Sequence, residues 1–167
     1  MNEKPVRDII GYADEEIEIS LASTADYRVV GELTWALIYE LSPEWVEGHS
    51  KAEYADTAHA LLSAGDSFWS FIAKYKNSCV AILNLNQCAS IYAGGKFGEI
   101  TEFYIKPEFR SNGIGSKLIS SAKEFGVERQ WPILEVGAPS RNDWPGTTKF
   151  YLSNGFSEIG PRLEAVL

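Results

Sequence analysis

EITEFYIKPEFRSNGIGSKLISSAKEFG, residues Glu99–Gly126, changes its hydrophobic period halfway along. Glu99–Ile105 is rich in β-formers and Pro107 stops it, which predicts a strand. From Gly113 the apolar residues Ile114, Leu118, Ile119, Ala122 and Phe125 recur at helical spacing. Between the two, Arg110-Ser111-Asn112-Gly113-Ile114-Gly115 makes a tight connection, where Gly113 and Gly115 permit close backbone approach. The first turn of such a helix carries unpaired N–H groups and the positive end of the dipole. Those amides suit a phosphate or pyrophosphate, and Lys106, Arg110 and Lys117 add positive charge around them. The same residues also read as a plain turn before a helix. A dinucleotide fold needs its Gly-x-Gly-x-x-Gly after the first strand, whereas these glycines come two-thirds of the way along. A phosphate-binding P-loop, with its Gly-Lys-Ser/Thr ending, is absent.

Outward from that stretch, Glu16–Ser20 alternates as a first strand, and Thr24 or Asp26 is placed to cap a helix over Tyr27–Leu41. Residues 50–63 predict a second helix closed by Gly65. Phe68–Tyr75 and Cys79–Leu85 read as strands around a Lys76-Asn77-Ser78 turn, with a less regular run at Cys88–Ala93. After Gly126 come a short strand at Ile133–Val136, a helix over Thr147–Asn154 with Thr147 as its cap, and a strand at Phe156–Ile159. Arg162–Leu167 could form a last strand, and the apolar tail Leu163–Leu167 within it could pair across a homodimer. The order predicts an α/β chain: one domain over residues 1–167, built on a mixed sheet with helices on both faces.

At 167 residues with 45% hydrophobic and 23% charged residues, the chain falls in the globular range and not with disordered or disulfide-stapled chains. It lacks a run of eighteen apolar residues and an apolar leader, so the expectation is a cytoplasmic protein with no membrane span. Residues 1–60 carry 4 Lys or Arg against 13 Asp or Glu, which argues against nucleic acid and suits a cationic partner, or simply solubility. Cys79 and Cys88 read as reduced, buried thiols. The two histidines, His49 and His59, make no metal-ligand pattern, so no metal is expected.

The Arg110-x-x-Gly113-x-Gly115 run, set between its strand and an amphipathic helix, resembles the acetyl-CoA motif of the GCN5-related N-acetyltransferase (GNAT) superfamily. Phe150-Tyr151-Leu152-Ser153-Asn154-Gly155-Phe156 is similar to that superfamily's tyrosine helix and Gly-Phe exit. Specific matches span about Glu99–Gly160; earlier residues match in pattern only. The resemblance implies the acyl-CoA N-acyltransferase fold, a mixed and mostly antiparallel sheet flanked by helices. It implies transfer of the acetyl group of acetyl-CoA to a small-molecule or protein amine by direct attack. A non-catalytic acetyl-CoA-binding module is the alternative.

By that resemblance, Arg110, Ser111, Asn112, Gly113, Ile114, Gly115, Ser116 and Lys117 hold the cofactor pyrophosphate. The pantetheine arm runs along Phe103, Tyr104 and Ile105, where an N–H near Tyr104 or Ile105 polarises the acetyl carbonyl. Tyr151 matches the family's general acid beside the sulfur, and Glu102 matches a common acidic position facing the acceptor. Glu135, on the neighbouring predicted strand, is a second candidate base. Strand parity places Phe103, Ile105 and Glu99 on one face, and Glu102, Tyr104 and Ile100 on the other. One departure is that Trp144 stands where relatives commonly carry an asparagine; Asn142 could reach the cofactor arm instead. The acceptor wall falls on residues 25–63, where Trp35, Tyr39, Trp45 and Tyr54 mix with Glu32, Glu40, Glu44, Glu47, Glu53 and Asp56. Acid plus aromatic suits a cationic amine.

Overall fold

Five strands in the order β1-β2-β3-β4-β5 organise the chain in a computed structural model that describes residues 16–163 and 165. They are β1 (Ile17–Leu21), β2 (Phe68–Tyr75), β3 (Ser78–Ser90), β4 (Gly95–Ile105) and β5 (Leu134–Val136). The first four pair antiparallel, and β5 joins β4 in parallel through Gly98–Ile100. The helices are α1 (Tyr27–Leu41), α2 (Lys51–Ala64), α3 (Ile114–Glu128) and α4 (Pro145–Ser153). The expected mixed, mostly antiparallel sheet is therefore present.

Local chemistry sets most boundaries. Lys76 and Asn77, both at positive φ, form the two-residue turn whose twist matches a hairpin. Ser50 and Glu53 make a reciprocal capping box on α2. Neither Thr24 nor Asp26 caps α1 through its side chain. The Asp26 carboxylate instead turns back to accept from the Ser23 N–H at 2.8 Å, while Ser23 caps a 3₁₀ turn that runs into α1. Thr147 is likewise no cap, because α4 starts two residues earlier at Pro145, whose missing N–H costs nothing there. The irregular run expected after Leu85 is instead the end of one continuous β3, held by pairing with β4 as far as Ser90 opposite Gly95.

The strand expected at Phe156–Ile159 does not form. Gly155, at φ +81°, closes α4 in a Schellman motif: the Phe156 N–H reaches back to the Tyr151 carbonyl and the Gly155 N–H to Leu152. Phe156 then packs on Tyr151, and the chain continues irregularly through residue 163, with Ile159 and Leu163 exposed. Of the expected C-terminal strand, Arg162, Leu163 and Ala165 have no strand structure, and the remainder lies outside the described residues.

Two apolar layers sandwich the sheet. On the back face Ile114, Leu118, Ile119, Ala122 and Phe125 of α3 pack against Phe71, Leu83, Leu85 and Ile100. On the front face Val30, Leu33 and Ala58 of α1 and α2 cover Ile72, Ile82 and Tyr104. The two front helices touch at Gly31, where an added Cβ would lie 2.5 Å from the Ala55 backbone. Alanine normally favours a helix interior by about 1 kcal/mol over glycine. Here overpacking wins, so Gly31→Ala should lower unfolding stability by about 1–3 kcal/mol in denaturant titration; a stabilised variant would contradict this crossing.

Candidate active site

The β3–β4 ladder carries an extra residue. Asn84 faces Glu102 and Leu85 faces Ile100, so Thr101 is left unpaired as a bulge. The bulge breaks the parity expected from the sequence. Ile100 joins Phe103 in the back core, and Glu99 lies on the front face with Glu102. Simple alternation misplaced both because it assumed an unbroken period of two.

β5 leaves β4 after Ile100, so the Thr101–Ile105 edge of β4 has no strand beside it. Glu102 and Tyr104 face α1 and α2 at this gap, and Phe103 faces back. The Glu102 carboxylate accepts from Asn84 Nδ2 at 2.9 Å and from Thr101 Oγ1 at 2.7 Å, both on Oε2. Asn84 Nδ2 also reaches Thr34 Oγ1 of α1 at 3.2 Å. A cleft of about 380 Å³ opens over these groups, between the front helices and the sheet, and includes Thr34, Trp45, Glu53, Tyr54, Asn84 and Glu102 in its walls. Among the described residues, Asn84 Oδ1 and Ser70 Oγ, opposite each other in the ladder, are buried without a hydrogen-bond partner.

On the back side Tyr151 is 7% exposed, ringed by Phe103, Phe150 and Phe156. Burial pushes its hydroxyl well above the ordinary tyrosine value, so it stays protonated. Glu102 and Tyr151 thus flank the open stretch of β4 from opposite faces. Glu135 lies farther along, opposite Glu99, and accepts a hydrogen bond from the Tyr92 hydroxyl. Glu99 itself is held by Arg162 at 2.7 Å and by the Cys88 thiol.

The connection into α3 bears the geometry of an anion cradle. Ser111 and Gly113 both adopt positive φ in the turn that opens α3. No side chain caps α3, and a Cβ on Gly113 would meet nothing within 4 Å. Gly115 is needed for a different reason: its missing Cβ makes room for the Phe150 ring, which would otherwise lie 3.0 Å away. Ile114 is buried beneath the cradle, Ser116 is exposed, and Asn112 Nδ2 braces the Arg110 carbonyl at 3.1 Å. These residues fit a pyrophosphate group.

The Arg110 side chain turns elsewhere. Its guanidinium forms a fork on Glu40 of α1, with both N···O distances 2.7 Å, and donates to the Ile105 carbonyl at 2.8 Å. Glu40 lies seventy residues upstream, so nothing local in the sequence signals this partner. Tyr104 lies beneath the same guanidinium, and burial raises its hydroxyl pKa. Asn142 sits on an exposed turn before α4, and Trp144 is half-buried at its start. Of the expected acceptor wall, Trp45, Glu53 and Tyr54 reach the cleft. Trp35 and Tyr39 stack on each other beside Glu44 and Glu47 in a separate groove. Among the described residues, no three His, Cys, Asp or Glu side chains gather as metal ligands, and no helix is long and apolar enough to cross a membrane.

A mixed sheet splayed beside an uncapped helix start is the acyl-CoA N-acyltransferase fold. The acetyltransferase (GNAT) family profile matches residues 34–156, and the chain belongs to that family. An uncharacterized N-acetyltransferase of Archaeoglobus fulgidus is 39% identical over 61 residues, 36% of this chain and 37% of that protein. A second from Methanocaldococcus jannaschii is 38% identical over 60 residues, 36% of this chain and 26% of that protein. The match thus spans little more than a third of the first of these curated relatives and about a quarter of the second. Among solved structures, an aminoglycoside acetyltransferase from an uncultured soil metagenomic sample superposes with TM-score 0.74 at 20% identity, covering 92% of this chain and 98% of that one. A GCN5-related N-acetyltransferase from Ralstonia eutropha gives 0.75 at 18% identity, covering 90% and 98%. At these identities the likeness concerns the fold.

The Arg110–Glu40 fork is the tie between α1 and the cradle, and both side chains are about a third exposed. A double-mutant cycle with Glu40→Gln and Arg110→Gln should return a coupling of about 1 kcal/mol, reduced by solvent screening from that of a dry pair. A coupling indistinguishable from zero would mean the fork does not hold the helix.

Proposed function

We propose that the protein transfers the acetyl group of acetyl-CoA to a primary amine that is cationic in solution. The observation that supports this best is the placing of Glu102 and Tyr151 on opposite faces of the unpaired Thr101–Ile105 edge, next to the Gly113 cradle. Acetyl-CoA, when bound, supplies an activated carbonyl carbon and a thiolate that leaves. The backbone amides of Ser111–Ser116 bind its phosphates at the positive end of α3, with Lys117 on the same first turn. The unpaired edge of β4 at Phe103–Ile105 offers backbone N–H and C=O groups to the extended arm, and an N–H there polarises the carbonyl.

The acceptor arrives as an ammonium ion from the front cleft. Glu102 uses Oε1 to take its proton, directly or through water, because Oε2 already accepts two hydrogen bonds. The nitrogen lone pair then forms the new C–N bond as the C–S bond breaks. Tyr151 gives its hydroxyl proton to the departing sulfur and recovers one shed by the nitrogen, so that one proton per turnover reaches solvent. Glu135 is the weaker base, since one of its oxygens already holds Tyr92 and its register lies beyond the gap. Glu102 and Tyr151 at the gap also favour catalysis over a cofactor-binding module without chemistry.

Calorimetric titration with acetyl-CoA should show micromolar binding that Gly113→Asp abolishes, because a carboxylate would enter the anion cradle. No binding to the folded wild type would overturn the assignment. Tyr151→Phe should reduce kcat about 10²-fold with little change in acetyl-CoA affinity. Because Tyr151 is held protonated, the pH–rate profile should rise with deprotonation of the amine and show no descending limb from Tyr151 up to about pH 10. A descending limb below that, removed by Tyr151→Phe, would contradict its environment.

A further inference from the structure

Asn84 interrupts the buried run Val80–Leu85, whose remaining residues are all apolar. Its side chain is 2% exposed and stands opposite Glu102 in the β3–β4 ladder. A carboxylate only accepts, so the contact with Glu102 fixes the amide with its nitrogen on that side. Both hydrogens of Nδ2 then have acceptors, Glu102 Oε2 at 2.9 Å and Thr34 Oγ1 of α1 at 3.2 Å. Oδ1 is buried and meets no donor among the described residues. An unmatched buried oxygen costs stability, and an apolar side chain of similar shape would avoid that cost. What Asn84 supplies is therefore its nitrogen, directed at Glu102 and Thr34.

Thr101 holds the same carboxylate oxygen. In an unbroken strand successive side chains point to opposite faces, which would part a hydroxyl at 101 from a carboxylate at 102. The bulge lets the two meet, and Thr101 Oγ1 donates to Oε2 at 2.7 Å. Oε2 thus takes hydrogen bonds from two strands, while Oε1 takes none among the described residues. Glu102 and Thr34 both line the front cleft, so the Asn84 amide also ties the carboxylate to the helix that frames it.

We propose that Asn84 and Thr101 are positioning residues for Glu102. Their two hydrogen bonds clamp Oε2, and Thr34 anchors the clamp to α1, so that Oε1 is held ready for the ammonium proton. This rests on the assignment of Glu102 as base above and deepens it: a base must be held in reach of the proton it takes, and small misplacements are costly.

The test follows thiol release from acetyl-CoA with spermidine and 2-phenylethylamine as acceptor probes, and measures acetyl-CoA binding separately by calorimetry. Glu102→Gln sets the scale, with kcat reduced about 10²-fold. Asn84→Leu and the exposed-site variant Thr101→Val should each lower kcat about tenfold, with acetyl-CoA affinity within about twofold of wild type. Thr101→Ser keeps the hydroxyl and should hold kcat within about threefold of wild type. A positioning residue acts only through the group it positions. In the Glu102→Gln background, Asn84→Leu and Thr101→Val should therefore cost less than about twofold further. Without any turnover, Glu102→Gln should shift the Asn84 side-chain amide resonances in an NMR spectrum. Equal losses in both backgrounds, Thr101→Ser as slow as Thr101→Val, or unmoved Asn84 resonances would each overturn the proposal. Glu102→Gln as fast as wild type would instead remove the base assignment and the proposal with it. Absence of acetyl-CoA binding would overturn the acetyltransferase reading beneath both.

Discussion

One unpaired residue, Thr101, governs the layout of the site. A bulge adds a residue to one strand only, so every side chain beyond it changes face relative to its partner strand. In β4 this puts Ile100 into the back core, where it packs with the α3 layer, while Glu99 and Glu102 both face front. It also increases local twist, and β5 departs immediately after Ile100. Without it, either the back core would lose Ile100 or Glu102 would turn into the apolar layer. The separation of a carboxylate in front from a protonated phenol behind follows from that single insertion.

A second constraint joins the two halves of the site. Arg110 begins the loop that runs into α3, yet its guanidinium grips Glu40 on the front helix and the Ile105 carbonyl at the end of β4. Loop, strand and front helix are thus fastened at one point by charge-assisted bonds in a planar fork, a geometry lysine could not supply. The wall that frames the cleft and the amides proposed to bind phosphate therefore share a rigid reference. Such rigidity matters where reacting atoms must be held within a fraction of an ångström.

Most elements were legible because each has a local cause. The periodicity of Val30, Leu33 and Leu37 located α1, and the turn read at Lys76-Asn77-Ser78 marked the β2–β3 hairpin. The glycines of the α3 entry located the tight connection between β4 and α3, and Gly155 marked the exit of α4. What escaped were features decided by distant partners. The bulge appears only when β3 is laid beside β4. The Arg110 fork needs Glu40, and the Asn84 amide is bound by Glu102 and Thr34, eighteen and fifty positions away. The strand foreseen at Phe156–Ile159 failed for a related reason: local β-propensity does not make a strand of a segment that pairs with no neighbour, and the close of α4 instead seats Phe156 on Tyr151.

The open edge of β4 raises a question of solubility. Unpaired strand groups are a template on which another chain can add a strand, the first step toward aggregation. This protein leaves such groups open from Thr101 to Ile105 but keeps them poor as a template. The stretch is short, the bulge distorts its start, and Pro107 ends it. The Ile105 carbonyl is already taken by Arg110, and the Phe150 and Tyr151 rings crowd the Phe103 side. An extended small molecule can use such a gap, whereas a foreign β-strand would find no regular ladder to continue.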